Sequence, residues 1–335
     1  MTEAERKRRD ALEAAGGEPL LVTDPPTVRW LLCGRGRPVD VGAADFRIVI
    51  RSDAAYVLYA DIEHSRVLGE ERLEELGYEL APFQWWDRPE TAHREYDLTP
   101  QRRNLGPEEV DRYRAAGADA AAAVVEAIGV LRPEMTEIEA AGELARTTRA
   151  LDLIARVNLV GGEERQPVHR HPLPTSAPLG RHALLAVTVE RDGLHVSMTR
   201  IVSFGPPPER LAELVRASAE VDAAVIAASR PGRKHGELFE VIAEAYDREG
   251  FPEEWRRHHQ GGLTGYKGRE VFAVPGERTP LPPVGAVAWN PSITGGGKSE
   301  DTVLVTADGR EVLTRTPELG ELDTRGLPRP AIVGL

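Results

Sequence analysis

Apolar positions recur along this chain in two rhythms, one helical and one alternating, and the switches between them outline the fold. Thr2-Glu3-Ala4-Glu5 has the form of a capping box, and the helix it opens ends at Gly16-Gly17. Short apolar runs at 19–23, 46–50 and 55–59 read as strands, the first stopped by Asp24-Pro25-Pro26 and the last two joined as a hairpin around Ser52-Asp53. A second helix is predicted over 62–76, and the polar stretch 89–105 reads as a linker. Pro107 then stands in the first turn of a long alanine-rich helix reaching Val130, and Thr136-Glu137-Ile138-Glu139 caps the next helix. Strands are predicted near 155–160, 183–190 and 194–204, with Asp192-Gly193 a strong hairpin signal between the last two. Amphipathic helices at 209–228 and 237–249 precede a glycine-rich, strand-rich end. The pattern is that of an α/β (α+β) protein with a small α/β domain over 1–104 and a larger domain over 105–335.

The length of 335 residues agrees with about two domains of roughly 150 residues each. A net charge of −12 argues against a nucleic-acid partner, since binding phosphates needs a basic surface. The one basic run, Arg6-Lys7-Arg8-Arg9, is interspersed with Glu3, Glu5 and Glu13 and reads as a solvated helix face. Cys33 is the only cysteine, which excludes an intramolecular disulfide and a thiolate zinc site. No stretch has the length and apolarity of a membrane span or a signal peptide, so no membrane partner and a cytoplasmic location are expected. Gly295-Gly296-Gly297-Lys298-Ser299 looks like a phosphate loop, but Ser292 stands where the first glycine belongs and strands flank it. It reads as a tight connection.

Several motifs change this picture when taken together: Leu131-Arg132-Pro133-Glu134-Met135-Thr136-Glu137, His169 ahead of Pro174-Thr175, Thr199-Arg200, His258-His259-Gln260-Gly261-Gly262-Leu263, Asn290-Pro291 and Glu300-Asp301-Thr302. In this order they resemble the pita-bread hydrolases, the superfamily of creatinase, aminopeptidase P, prolidase and methionine aminopeptidase. The resemblance implies a creatinase-like N-terminal domain, a pita-bread domain and a homodimer. It also implies that Arg29 and Trp30, in the segment starting Asp24-Pro25-Pro26, approach the pocket of the other subunit in that dimer.

In the peptidases of this superfamily two divalent cations are held by two aspartates on a hairpin, a histidine and two glutamates. At the matching positions this chain has Ala186, Ser197, His259, Asn290 and Glu300, so one carboxylate remains of four. Two divalent ions in a low-dielectric pocket need anionic ligands to offset them. No dinuclear metal and no cofactor are therefore expected, while a single zinc or nickel on His259, His258 and Glu300 stays open. The resemblance to creatinase, which works without metal, implies His169 as a proton shuttle with His259 and Glu300 as its catalytic partners. Tyr266, Arg269, Glu270, His258, Asn290 and Ser197 are expected to contact substrate, Arg269 as a carboxylate clamp and Glu300 as a partner for a cationic group. The implied activity is hydrolysis of a C–N bond in a small amino-acid-derived or guanidino substrate, the same acid–base set also allowing a lyase or another proton-transfer reaction. The expected partner is a small-molecule or short-peptide substrate. A non-catalytic pseudo-peptidase and an Xaa-Pro metallopeptidase with a differently placed metal site are the alternatives.

Overall fold

The computed structural model describes residues 1–39, 46–87, 89, 91, 93–324 and 326–335. The chain forms two compact units, Met1–Glu108 with Asp192–Leu194, and Glu109–Arg191 with His195–Leu335. In the first, a five-stranded sheet runs Glu79–Phe83, Ala55–Ala60, Phe46–Ile50, Leu20–Val22, Arg94–Glu95. Its inner pairings are antiparallel and its two outer ones parallel.

Three local expectations change here. The predicted helix over 62–76 is a series of short turns, Asp61–Glu63, His64–Arg66, Val67–Glu71 and Leu73–Leu76, broken where Arg72 takes a φ of 48°. The Glu71 carboxylate is buried and accepts from the backbone N–H groups of Gly36 (2.5 Å) and Arg37 (2.9 Å), which turns residue 71 inward at the expense of a regular helix. The expected linker belongs to the unit: Arg94–Glu95 pairs with Leu20 and Leu21, and the helix Thr99–Arg102 follows it. The fully buried Arg102 donates to Asp24 at 2.6 Å, which ties this segment down; Glu90 and Ala92 lie outside the described residues. Asp24-Pro25-Pro26 opens a helix, Pro25–Leu31, because Asp24 accepts from the Thr27 N–H and proline at the first turn needs no donor.

The second unit is built from a four-stranded sheet, Ile332–Gly334, Leu194–Ser203, His182–Arg191 and Ile154–Gly162, and a five-stranded one, Val271–Phe272, Gly261–Thr264, Gly285–Trp289, Asp301–Thr306 and Gly309–Val312. The hairpin between His182–Arg191 and Leu194–Ser203 turns at Asp192 (φ 53°) and Gly193 (φ 79°), the positive pair that a two-residue turn requires. Helices Glu209–Ala228 and His235–Arg248 lay Val221, Val225, Ile242 and Tyr246 onto Leu263, Val287, Trp289 and Val303 of the five-stranded sheet, forming the main core. Among the described residues no helix is long and apolar enough to cross a membrane.

Gly261 and Gly262 set where this sheet begins. Their φ values are 87° and 149°, and a Cβ on either would run into the carbonyl oxygen of Ala288 or Val271. Glycine alone lets the strand follow directly on His258-His259-Gln260 at that spacing. Gly262→Ala is expected to cost more than ~1 kcal/mol, read as a lowered denaturant midpoint, because both the dihedral and the neighbouring carbonyl oppose it.

Candidate active site

A cavity of about 340 Å3 opens in the second unit. The strand His182–Arg191 contributes Ala186, Val187 and Thr188 to its wall, while Arg269, Asn290, Lys298 and Glu300 supply polar groups. Exposed His171 and His259 line its rim.

Its electrostatic centre is Glu300, buried and held by three donors: Thr199 Oγ1 at 2.7 Å, Arg269 Nη2 at 3.0 Å and Lys298 Nζ at 3.4 Å. Burial alone would raise the Glu300 pKa, but Lys298, Arg269 and Thr199 outweigh it and hold the carboxylate below its ordinary range. Arg269 also donates to Ser197 Oγ at 3.3 Å, and that hydroxyl in turn bonds Thr188 Oγ1 at 2.9 Å. Two buried polar atoms of this group, Arg269 Nε and Asn290 Oδ1, have no hydrogen-bond partner among the described residues. A buried donor and a buried acceptor left open beside a cavity are places for ligand atoms.

Three imidazoles gather at the rim. His258 Nε2 lies 3.0 Å from His171 Nε2, and the His258 and His259 rings stack with centroids 4.3 Å apart. Burial, then the neighbouring Lys298, His259 and His171, push the His258 pKa down to about 2. Burial and Arg269 push His259 down to about 4, against the opposing pull of Glu300. Burial and Lys298 lower His171 as well. At neutral pH His258 and His259 are therefore uncharged, each able to donate one hydrogen bond and accept another.

The expected site residues divide. Arg269, Asn290, His259 and Glu300 line the cavity, Ser197 bonds Arg269 behind them, and His258 joins through His171. His169, expected to shuttle protons, is exposed and lines a different hollow of about 260 Å3 with Gln166, Arg257 and the Gly295–Gly297 turn; that hollow and the main cavity share Lys298. The cavity instead receives His171. Two residues apart in a non-strand loop, only one of the pair is aimed there. Tyr266 is buried away from the cavity, and its hydroxyl donates to Glu109 at 2.7 Å, as a buried phenol must find an acceptor. Glu270 packs over Gly265 and is not part of the lining. Arg29 and Trp30 are buried within the first unit, where Lys7 Nζ lies 5.4 Å from the Trp30 ring and donates to the Trp30 carbonyl at 2.9 Å. Glu300, expected to meet a cationic substrate group, already meets two cations of its own chain. The glycine-rich turn joins Ser292–Ile293 to Gly297–Lys298 as a tight hairpin, as its flanking strands imply.

The loop bearing His171 is fixed from both sides. Arg170 donates to Ser292 Oγ (2.9 Å) and Thr294 Oγ1 (2.8 Å) and pairs with Glu254. Glu137, at the start of the helix Glu137–Ala150, is fully buried and accepts from the Gly162 N–H (2.8 Å), the Thr175 N–H (2.9 Å) and Thr175 Oγ1 (2.7 Å), and it pairs with Arg165. Burial would raise the Glu137 pKa, but these bonds together lower it below 4.5. A carboxylate whose pKa falls on folding adds stability that is complete above its unfolded pKa and is lost as pH drops through the folded value. Glu137→Gln is thus expected to remove about 3 kcal/mol at pH 7 and to flatten the acid limb of a stability–pH curve below about 4.5, measured by denaturant unfolding.

Residues 111–307 match the model of metallopeptidase family M24. The chain belongs to that family. Among solved structures, this M24 protein is similar to dipeptidase PepE from Mycobacterium ulcerans, at 18% identity over 99% of this chain and 98% of that one, with a TM-score of 0.76. The prolidase from Pyrococcus horikoshii OT3 has 17% identity over 94% and 99% of the two chains and a TM-score of 0.76. The N-terminal domain of FACT complex subunit SPT16 from Cicer arietinum (chickpea) has 13% identity over 93% and 95%, with a TM-score of 0.67. No curated protein matches the chain. These likenesses show the fold, a mixed α/β pita-bread architecture, and leave the chemistry to this chain's own residues.

Those residues do not fit a dinuclear metal centre. Ala186 offers no donor, and Ser197 and Asn290 offer neutral ones. Glu300 is saturated by its own chain, and Arg269 and Lys298 bring positive charge to the place where cations would need it removed. Coulomb repulsion and the missing carboxylates act in the same direction.

Proposed function

We propose that the cavity takes a small, carboxylate-bearing, amino-acid-derived molecule and hydrolyses a C–N bond in it without a dinuclear metal centre. The reading rests above all on the Arg269–Glu300–Lys298 cluster: two cations against one carboxylate leave a net positive charge with an open donor, Arg269 Nε. An anionic substrate group is favoured there, and a guanidinium is not.

His171 is the proton carrier in this reading. Burial and Lys298 lower its pKa too, but the large shifts are those of His258 and His259, down to about 2 and about 4, so His171 takes a proton most readily of the three. A water near the rim gives a proton to the His171 imidazole as its oxygen bonds the electrophilic carbon. The C–N bond then breaks, and the imidazolium returns the proton to the leaving nitrogen. His259 and Asn290 supply neutral hydrogen bonds to charge that develops on the substrate.

The test is a panel of N-acyl and N-carbamoyl amino acids, guanidino acids and Xaa-Pro dipeptides, incubated with protein in EDTA while released amine is measured. Turnover of a carboxylate-bearing member in EDTA supports the reading. Turnover of Xaa-Pro dipeptides only on adding manganese or cobalt overturns it in favour of a metallopeptidase. A ligand that raises Tm but is never turned over overturns the hydrolytic step and leaves a binding module.

A further inference from the structure

We infer that His171, His258 and His259 form a binding site for one divalent transition-metal ion at the rim of the cavity, apart from the position of Glu300. One ring nitrogen from each of the three lies within 4.8 Å of the others, and the closest pair, Nε2 of His258 and Nε2 of His171, is 3.0 Å apart. Tetrahedral zinc with bonds of about 2.0–2.1 Å to nitrogen holds its ligands about 3.3 Å from one another, so small ring rotations suffice. His171 and His259 are exposed and have room to make them.

The protein holds the three rings together by long-range fastening. Gly261 and Gly262 set the entry of the strand that follows His258-His259, and Arg170 with Glu137 pins the loop of His171. His258 Nδ1 is buried without a hydrogen-bond partner among the described residues, and the ring's one hydrogen-bond contact there is to His171. Two imidazole nitrogens at 3.0 Å share at most one proton; a cation would satisfy both lone pairs.

The donor set selects the ion. Three neutral nitrogens and no carboxylate suit zinc, nickel, cobalt or copper and serve manganese, magnesium and calcium poorly. With three protein ligands, a fourth position is left to water or to a ligand in the cavity. Lys298 and Arg269 repel a dication, which Glu300 partly offsets, so a dissociation constant on the order of micromolar is expected, weaker than in structural zinc sites. The inference goes beyond the proposed hydrolysis and opposes it, because an ion on His171 takes the lone pair that would accept the proton; binding is therefore measured without reference to turnover.

The experiment is a titration of chelator-stripped full-length protein with Zn2+ by calorimetry, and with Co2+ by its visible absorption. The expected result is about one ion per chain, bound at least tenfold more weakly by His171→Ala and by His258→Gln, and retained by Glu300→Gln. His171 is exposed, so its alanine variant should keep the wild-type Tm and report on binding alone. No binding by the wild type, binding unchanged in His171→Ala, or binding lost only in Glu300→Gln would each overturn the assignment.

Discussion

Arg329→Ala is expected to lower stability by about 3–5 kcal/mol at pH 7, the largest loss from any single replacement considered for this protein. Arg329 is buried, and one of its nitrogens pairs with Asp222 at 2.6 Å and Asp301 at 2.8 Å. Asp301 also accepts from Arg200 (2.9 Å) and Thr314 Oγ1 (2.6 Å), and Asp222 from Ser299 Oγ (2.7 Å). Two arginines and two aspartates thus balance inside the second unit, next in sequence to Glu300. Removing Arg329 leaves Asp222 charged in an apolar surrounding with one hydroxyl for company.

The pH dependence of that loss has a definite sign. Burial already raises Asp222 to about 6 despite Arg329 beside it. Without the arginine the pKa rises further, and protonation relieves the unpaired charge. The deficit of the variant should therefore shrink as pH falls from 7 toward 5, seen as converging denaturant midpoints for variant and wild type. Arg329→Met combined with Asp222→Asn should lose less than the sum of the single changes, because neither charge is then left alone.

His171→Ala is expected to reduce turnover of whichever substrate the EDTA panel identifies by about 10²–10⁴-fold while leaving the Tm within a degree or so. The ring is exposed and takes no part in the apolar core, so its removal tests chemistry more than folding. The same change at His169 should alter turnover little, since His169 faces the neighbouring hollow. A large loss at His169 with none at His171 would reverse the assignment of the proton carrier.

Local signals were legible in the sequence wherever the physics is local. The capping boxes at Thr2 and Thr136 and the Asp192-Gly193 turn need only neighbours a few residues away, and each stands where its motif implies. Lys298 and Glu300, two residues apart, offered the one readable hint that the carboxylate has an internal partner. Arg269, which completes that cluster from the turn between Gly261–Thr264 and Val271–Phe272, carried no such mark. The choice between His169 and His171 was beyond the motif as well. Arg170, between them, is anchored to Ser292 and Thr294, and that contact across more than a hundred residues decides which imidazole turns toward the cavity. The helix Pro25–Leu31 was missed because its double proline reads first as a strand stop, although Asp24 ahead of it is a proper cap.

The proposal that Glu300 serves Arg269 and Lys298 and not a dinuclear metal centre is tested most directly by metal content. Protein stripped with chelator, incubated with excess manganese or cobalt and desalted should retain no manganese, and at most about one cobalt, on the histidines. About two ions per chain, lost on Glu300→Gln, would contradict the assignment of Glu300 to its own chain's cations and return this protein to the metal-dependent peptidases of its family.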